Sequence, residues 1–271
     1  MTQQPFVLYA VEAGVATLTL NDGARMNPLG DDLLAELVDA IDRVREDRLV
    51  RAVVLTAQGR AFCAGADLSH YMQRLHTPQE GCSLGQYVGK LMNEHANPVV
   101  VGLRELPVPV VCAINGVAAG GGFGLALAGD MVIAARSAYF YLPFFPALGV
   151  VPDMGASWVM PRAMSRARTL GLALTGHKLP AQKAADWGLI WDCVDDEQLQ
   201  PQAMRIALQL SELPCHAILE ARALFAAAET NTLEQQLDLE CARQEELIDG
   251  ESFAEGVRAF TERRKPVFTG R

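Results

Sequence analysis

Residues 113–130, AINGVAAGGGFGLALAGD, constrain this chain more than any other stretch. The stretch begins as the end of an apolar strand and finishes as an apolar helix, and Gly120, Gly121 and Gly122 join the two. Without Cβ atoms the backbone at such a bend can take positive φ and lie directly against another group. Its N–H groups then open a helix, where free donors and the dipole favour negative charge. Two readings stand: a receptacle for an anionic oxygen, or a strand-to-helix turn that only packs tightly. A glycine turn taken alone does not separate them.

Half of the 271 residues are apolar and 20% are charged, which suits one or two domains with a large core and excludes a disordered chain. The formal net charge is −9 and no basic face is evident, which argues against nucleic acid and anionic membrane as partners. An anionic ligand must therefore be held by local donors. Six cysteines (Cys63, Cys82, Cys112, Cys193, Cys215 and Cys241) form no CxxC pair and share no metal-type spacing with the five histidines, so no metal site is expected. Scattered thiols and no signal-peptide pattern predict a reducing cytoplasm. Residues 106–129 carry no formal charge and are long enough to suggest a membrane span. Pro107, Pro109, Asn115 and the glycines predict a buried strand, turn and helix instead.

In chain order, residues 6–9 and 15–20 read as a hairpin split by Glu12, Ala13 and Gly14. Leu33, Leu34, Leu37, Val38, Ile41 and Val44 form one stripe, predicting an amphipathic helix over 31–46. Residues 50–57 have strand length and composition. Residues 68–95 are polar and contain Pro78, Gly81, Gly85 and Gly89, which predicts a partly helical, mobile flap over a site. Strands are expected at 108–114, 131–135 and 138–141, and helices at about 201–213, 214–228, 232–248 and 252–263. Strand and helix alternate over the first two thirds, as in an α/β fold with a parallel sheet, and the last third is nearly all helix. Trp158, Trp187 and Trp191 are expected in the core, and the histidines in surface or packing roles.

GRAFCAGADL, residues 59–68, also follows an apolar strand and presents small residues and glycines. Two N–H groups from separate loops converging on one point make an oxyanion hole, in which one donor is typically worth about 10²–10³ in rate. This pair of motifs, in this order, resembles the enoyl-CoA hydratase/isomerase (crotonase) superfamily over nearly the whole chain. The resemblance implies a repeated ββα spiral core over 1–200 carrying an acyl-CoA site, and a helical C-terminal trimerisation region over 201–271. It implies acyl-CoA thioester substrates, no cofactor beyond the CoA of the substrate, and a homotrimer or dimer of trimers. Carried over by residue, the hole donors are the N–H groups of Ala66 and Gly121, with Gly120 beside them. Ala64, Asp67 and Leu68 are candidates along the adenine and pantetheine, Arg25 near the CoA phosphates, and Phe260 and Lys265 for CoA of an adjacent subunit.

The hydratases of that superfamily use two glutamates. Their positions here hold Gly124 and either Phe144 or Phe145. Adding water needs one group to activate it and another to protonate carbon, so the loss of both carboxylates argues against simple hydration. One acid remains, Asp153 in GVVPDMG, at the position of the catalytic aspartate of the superfamily's dienoyl-CoA and some double-bond isomerases. In so apolar a stretch desolvation favours its protonated form, which suits proton shuttling; the alternative is a helix N-cap. Asp130 reads as structural. The second half, including AETNTLEQQLDLE and FTERRKPVFTG, resembles the ring-1,2-epoxyphenylacetyl-CoA isomerases of bacterial phenylacetate breakdown, which also lack both glutamates. This chain departs from them in the flap and in LPFFPALG, which would shape the acyl pocket. The expected activity is an acyl-CoA isomerase acting by a double-bond shift or a ring-epoxide to oxepin conversion. The alternatives are a hydratase or other lyase of the superfamily, and a non-catalytic acyl-CoA-binding subunit.

Overall fold

The computed structural model describes residues 4–77 and 81–269, so Pro78 lies outside the described residues. The chain opens with β1 (Val7–Glu12) antiparallel to β2 (Val15–Leu20). Ala13 and Gly14 between them both have positive φ, 49° and 77°, the two-residue turn whose twist matches the strands. α1 (Asp31–Glu46) forms at its predicted bounds and buries Leu33, Leu34, Leu37, Ile41 and Val44. Each such side chain contributes about 1.5–3 kcal/mol of transfer free energy, and the stripe holds α1 in the core.

From there the chain repeats. β3 (Ala52–Ala57) and β4 (Ala61–Cys63) lead into α2 (Leu68–His76), α3 (Leu84–Leu91), a π-helical turn at Met92–Ala96 and α4 (Asn97–Glu105). β5 (Val110–Ile114) and β6 (Val117–Ala119) lead into α5 (Gly121–Ala126). β7 (Met131–Ala135) and β8 (Tyr139–Tyr141) lead through a π-helical turn, Phe144–Leu148, into α6 (Ala156–Ala163) and α7 (Arg166–Thr175). β9 (Leu179–Pro180), α8 (Ala181–Asp186) and β10 (Asp192–Val194) finish the sheets. One sheet runs β1-β2-β3-β5-β7-β10 and is parallel beyond the hairpin; the other runs β4-β6-β8-β9. Each ββ unit thus sends its first strand to the large sheet and its second to the small one, which is the ββα spiral expected from the resemblance. β6 lies inside what reads in sequence as the approach to a glycine turn.

α9 (Leu199–Ser211) buries Leu199, Ala203, Ile206 and Ala207 against β3 and β5, so this first C-terminal helix packs into the core. α10 (Ala217–Ala228), α11 (Leu233–Ile248) and α12 (Glu251–Glu262) bury only Ala259 between them. Arg222 of α10 anchors this region: it donates to both carboxylate oxygens of Asp130 at 2.7 and 2.6 Å and to the Leu106 and Val108 carbonyls. Asp130 is structural, as read.

The flap is partly helical, as expected: Asp67 caps α2, and Ser83 with Gln86 forms a capping box on α3. Tyr71 and Tyr87 then pack edge to face at 6.4 Å between the two helices. The tryptophans do not all fill the core. Trp158 is 43% and Trp191 69% exposed, and the guanidinium groups of Arg104 and Arg162 lie 4.6 and 3.9 Å from the centre of the Trp158 ring. Cation–π contact gives a partly solvated indole a partner that apolar counting in sequence does not reveal.

Candidate active site

Both glycine loops end strands of the small sheet, β4 and β6, which pair in parallel. Adjacent strands therefore deliver residues 64–67 and 120–121 to one place. Gly65 has φ +88°, and a Cβ on it would stand 2.7 Å from the Ala119 carbonyl and 3.2 Å from the Gly121 nitrogen. Only glycine allows this approach. A Cβ on Gly122 would stand 2.3 Å from the Cys63 carbonyl, so the first turn of α5 is also held directly against β4. Cys63 is fully buried, and burial pushes its thiol up to about 12, which makes it packing rather than a nucleophile.

Within these loops the N–H groups divide into used and unused. Gly120, φ +53°, donates to the Tyr141 carbonyl at 3.0 Å. Ala64 donates to Met26 O and Leu29 to Gly65 O. Among the described residues neither Ala66 N–H nor Gly121 N–H has a hydrogen-bond acceptor. Gly121 N–H is the first helical position of α5, one of the donors a helix leaves free. Asn27 supports the first loop. It is completely buried at φ +51°, donates to the Gln58, Ala61 and Phe62 carbonyls, and accepts from Asp22 N–H. The sequence reading missed it; its only signal was the Asn-Pro pair of a turn.

Asp153 completes the group. A Cβ on Gly121 would be 3.2 Å from Asp153 Oδ1 and 2.8 Å from Leu29 Cδ1, so carboxyl and leucine both press on the α-carbon of that residue. Asp153 Oδ1 is buried and has no hydrogen-bond partner. Burial pushes the carboxyl up from 3.8 to about 6, opposed only by its own backbone N–H. The helix-cap alternative fails. Gly155, φ +79°, occupies the N-cap of α6, and Asp153 gives that helix its main-chain carbonyl, accepting from Ala156 N–H at 3.0 Å. Met154, φ +50°, turns its side chain inward, and a Cβ on Gly124 would lie 2.5 Å from both Met154 Cβ and Met154 O. No side chain fits at Gly124, against which Met154 is packed.

The remaining candidates are dispersed. Arg25 is shared between Asp22 and Asp67, and hydrogen bonding to Asp22, chiefly, raises its pKa. Asp67 also accepts from His70 N–H as the α2 cap, so its carboxylate is already committed. Leu68 is 53% exposed. Phe144 belongs to the core, and Phe145 beside it is 41% exposed, so only the second can present its ring to a ligand. Phe260, 86% exposed, borders an apolar cleft with Pro214, Leu247 and Phe253, and Lys265 pairs with Glu212. No three His, Cys, Asp or Glu side chains among the described residues are grouped to hold a metal, and no helix among them is long and apolar enough to cross a membrane.

Residues 10–271 match the family model described as enoyl-CoA hydratase/isomerase. The chain is 44% identical over 268 residues to the 1,2-epoxyphenylacetyl-CoA isomerase of Escherichia coli, covering 98% of this chain and 99% of that one. It is 39% identical to a protein of Rhodobacter capsulatus named "probable enoyl-CoA hydratase", covering 98% of each. The crystal structure of an enoyl-CoA hydratase from Bacillus anthracis superposes with a TM-score of 0.87 at 31% identity, covering 98% of this chain and all of that one. Two glycine loops on paired strands, a fold shared at this level and a match across 10–271 agree: the chain is a crotonase-fold member of the enoyl-CoA hydratase/isomerase family.

Proposed function

We propose that this protein is an acyl-CoA isomerase in which the N–H groups of Ala66 and Gly121 hold the thioester oxygen and Asp153 carries the proton. The observation that carries the reading is the carboxyl of Asp153, whose Oδ1 is buried without a partner beside the glycine turn. An acyl-CoA with a β,γ double bond loses an α-proton to the carboxylate. The electron pair moves onto the thioester oxygen as an enolate, which two amide donors stabilise. The same carboxyl then returns the proton at the γ-carbon, and the double bond lies α,β. A carboxyl titrating at about 6 is mostly ionised at neutral pH yet basic enough to accept a proton.

The packing of Met154 on Gly124 argues against hydration, because it leaves no room for a second carboxylate there. The E. coli relative is named as an isomerase, which favours a double-bond or ring-epoxide rearrangement as the reaction class. We further propose that no metal or redox cofactor takes part, since proton transfer and amide donors suffice. The reading also includes a cytoplasmic homotrimer or dimer of trimers, a role for the sparsely buried α10, α11 and α12. The test offers purified protein a β,γ-enoyl-CoA and, separately, crotonyl-CoA. Conversion of the first to the α,β isomer without water addition to the second is the expected outcome. Rapid hydration of crotonyl-CoA would defeat the reading.

A further inference from the structure

The α2–α3 hairpin brings a second polar group toward Asp153. A cavity of about 250 Å³ is lined by Leu29, Arg25, Asp67, Tyr71, Tyr87 and Leu91, among others. Leu29 is the wall it shares with the catalytic group, since Leu29 Cδ1 and Asp153 Oδ1 press on the same face of Gly121. Tyr71 is half-buried in this cavity, and its hydroxyl has no hydrogen-bond partner among the described residues. Its neighbour Tyr87 behaves differently: its hydroxyl donates to Asp31 Oδ2 at 2.8 Å, and its ring is covered by the Arg74 guanidinium at 3.7 Å. The hairpin is therefore pinned through Tyr87, which leaves the Tyr71 phenol free.

We propose that Tyr71 is a positioning residue for Asp153, its phenol O–H serving the orphan carboxylate oxygen directly or through one water when the acyl group is bound. This rests on the assignment of Asp153 as the proton carrier. The orphan acceptor Asp153 Oδ1 and a phenol not engaged by protein both border the Leu29 wall, and an acceptor left unpaired once water is excluded is costly. The electrostatics agree. Burial raises the Tyr71 pKa most, and the next largest contribution is the charge of Asp153, ahead of Asp31 and Asp67. The titratable and charged groups around the pair are Cys63 on β4, Asp31 and Asp32 on α1, Arg25 in the turn before it, Asp67 at the first loop, and His70 and Tyr87 on the hairpin.

A phenol donating to a carboxylate favours the ionised form, so removing it raises the carboxyl pKa. In the Tyr71→Phe variant of the full chain with a saturated acyl-CoA bound, the Asp153 titration, followed by ¹³Cγ-aspartate NMR and assigned with Asp153→Asn, is expected to move up by about one pH unit. Tyr87→Phe is expected to leave it in place. An unmoved midpoint in Tyr71→Phe, or an equal movement in Tyr87→Phe, would overturn the proposal. This readout needs no turnover, so it stands apart from the isomerase assay: a shift in a chain inactive on β,γ-enoyl-CoA would retain the pairing and discard the reaction.

Discussion

An aspartate lies near each end of α5, Asp130 just beyond its C-terminus and Asp153, from the loop before α6, against Gly121 at its N-terminus, and the two are satisfied in opposite ways. At the C-terminal end, Asp130 accepts from Val110 N–H at 2.7 Å and from two nitrogens of Arg222. At the N-terminal end, Asp153 Oδ1 is buried beside Gly121 with no partner at all. One carboxylate is saturated and ties the C-terminal helices to the core. The other is desolvated and unsatisfied, a state that costs stability and leaves its proton available. Over one short helix the fold thus separates an anchoring acid from the one we propose to carry the proton. The distinction lies in hydrogen-bond satisfaction rather than in residue type.

Substitutions sharpen the contrast. Asp153→Asn keeps the shape and removes the proton carrier, so kcat on a β,γ-enoyl-CoA should fall by about 10²–10⁴, with acyl-CoA affinity largely kept. Kinetics alongside binding calorimetry check both halves. Asp130→Ala should do the reverse, costing about 2–4 kcal/mol in denaturant unfolding by stranding the half-buried Arg222, while the folded enzyme keeps its kcat. If Asp130→Ala abolished turnover in folded protein, the division of labour would be wrong.

The smallest effect concerns stability and pH. Asp153 titrates at about 6 in the folded protein against an ordinary 3.8, so folding favours its neutral form. Its contribution is fully present below pH 4 and is lost as the pH rises through 6. Asp153→Asn should therefore raise the melting temperature above pH 6, by an amount corresponding to at most about 3 kcal/mol, and change little below pH 4. Equal Tm differences at pH 4 and pH 8 would contradict the desolvated carboxyl.

What could be read from sequence was whatever a single period or a single local motif encodes. α1 was legible because its apolar stripe follows one helical period, and both glycine loops because each follows an apolar strand. The hairpin turn was legible in Ala13 and Gly14. β6 was hidden because three residues show no alternation. The flap was legible as partly helical, but the bounds of its helices were not, because polar composition masked the caps at Asp67 and Ser83. Trp158 looked like core because its partners, Arg104 and Arg162, come from two different helices. For Asp153 the residue type and the apolar surroundings were legible. Its orphan oxygen depends on Gly121, Leu29 and Met154 meeting in space, which one strand of text does not display.

The most direct test of the central claim looks at the thioester itself. With a ¹³C-labelled acyl-CoA bound to intact protein, isotope-edited infrared difference spectra report how strongly the carbonyl is polarised. Two free N–H donors, from Ala66 and Gly121, should shift the carbonyl stretch to lower frequency than in water, and Asp153→Asn should preserve that shift while abolishing turnover. A carbonyl at its solution frequency in the bound complex would contradict the account.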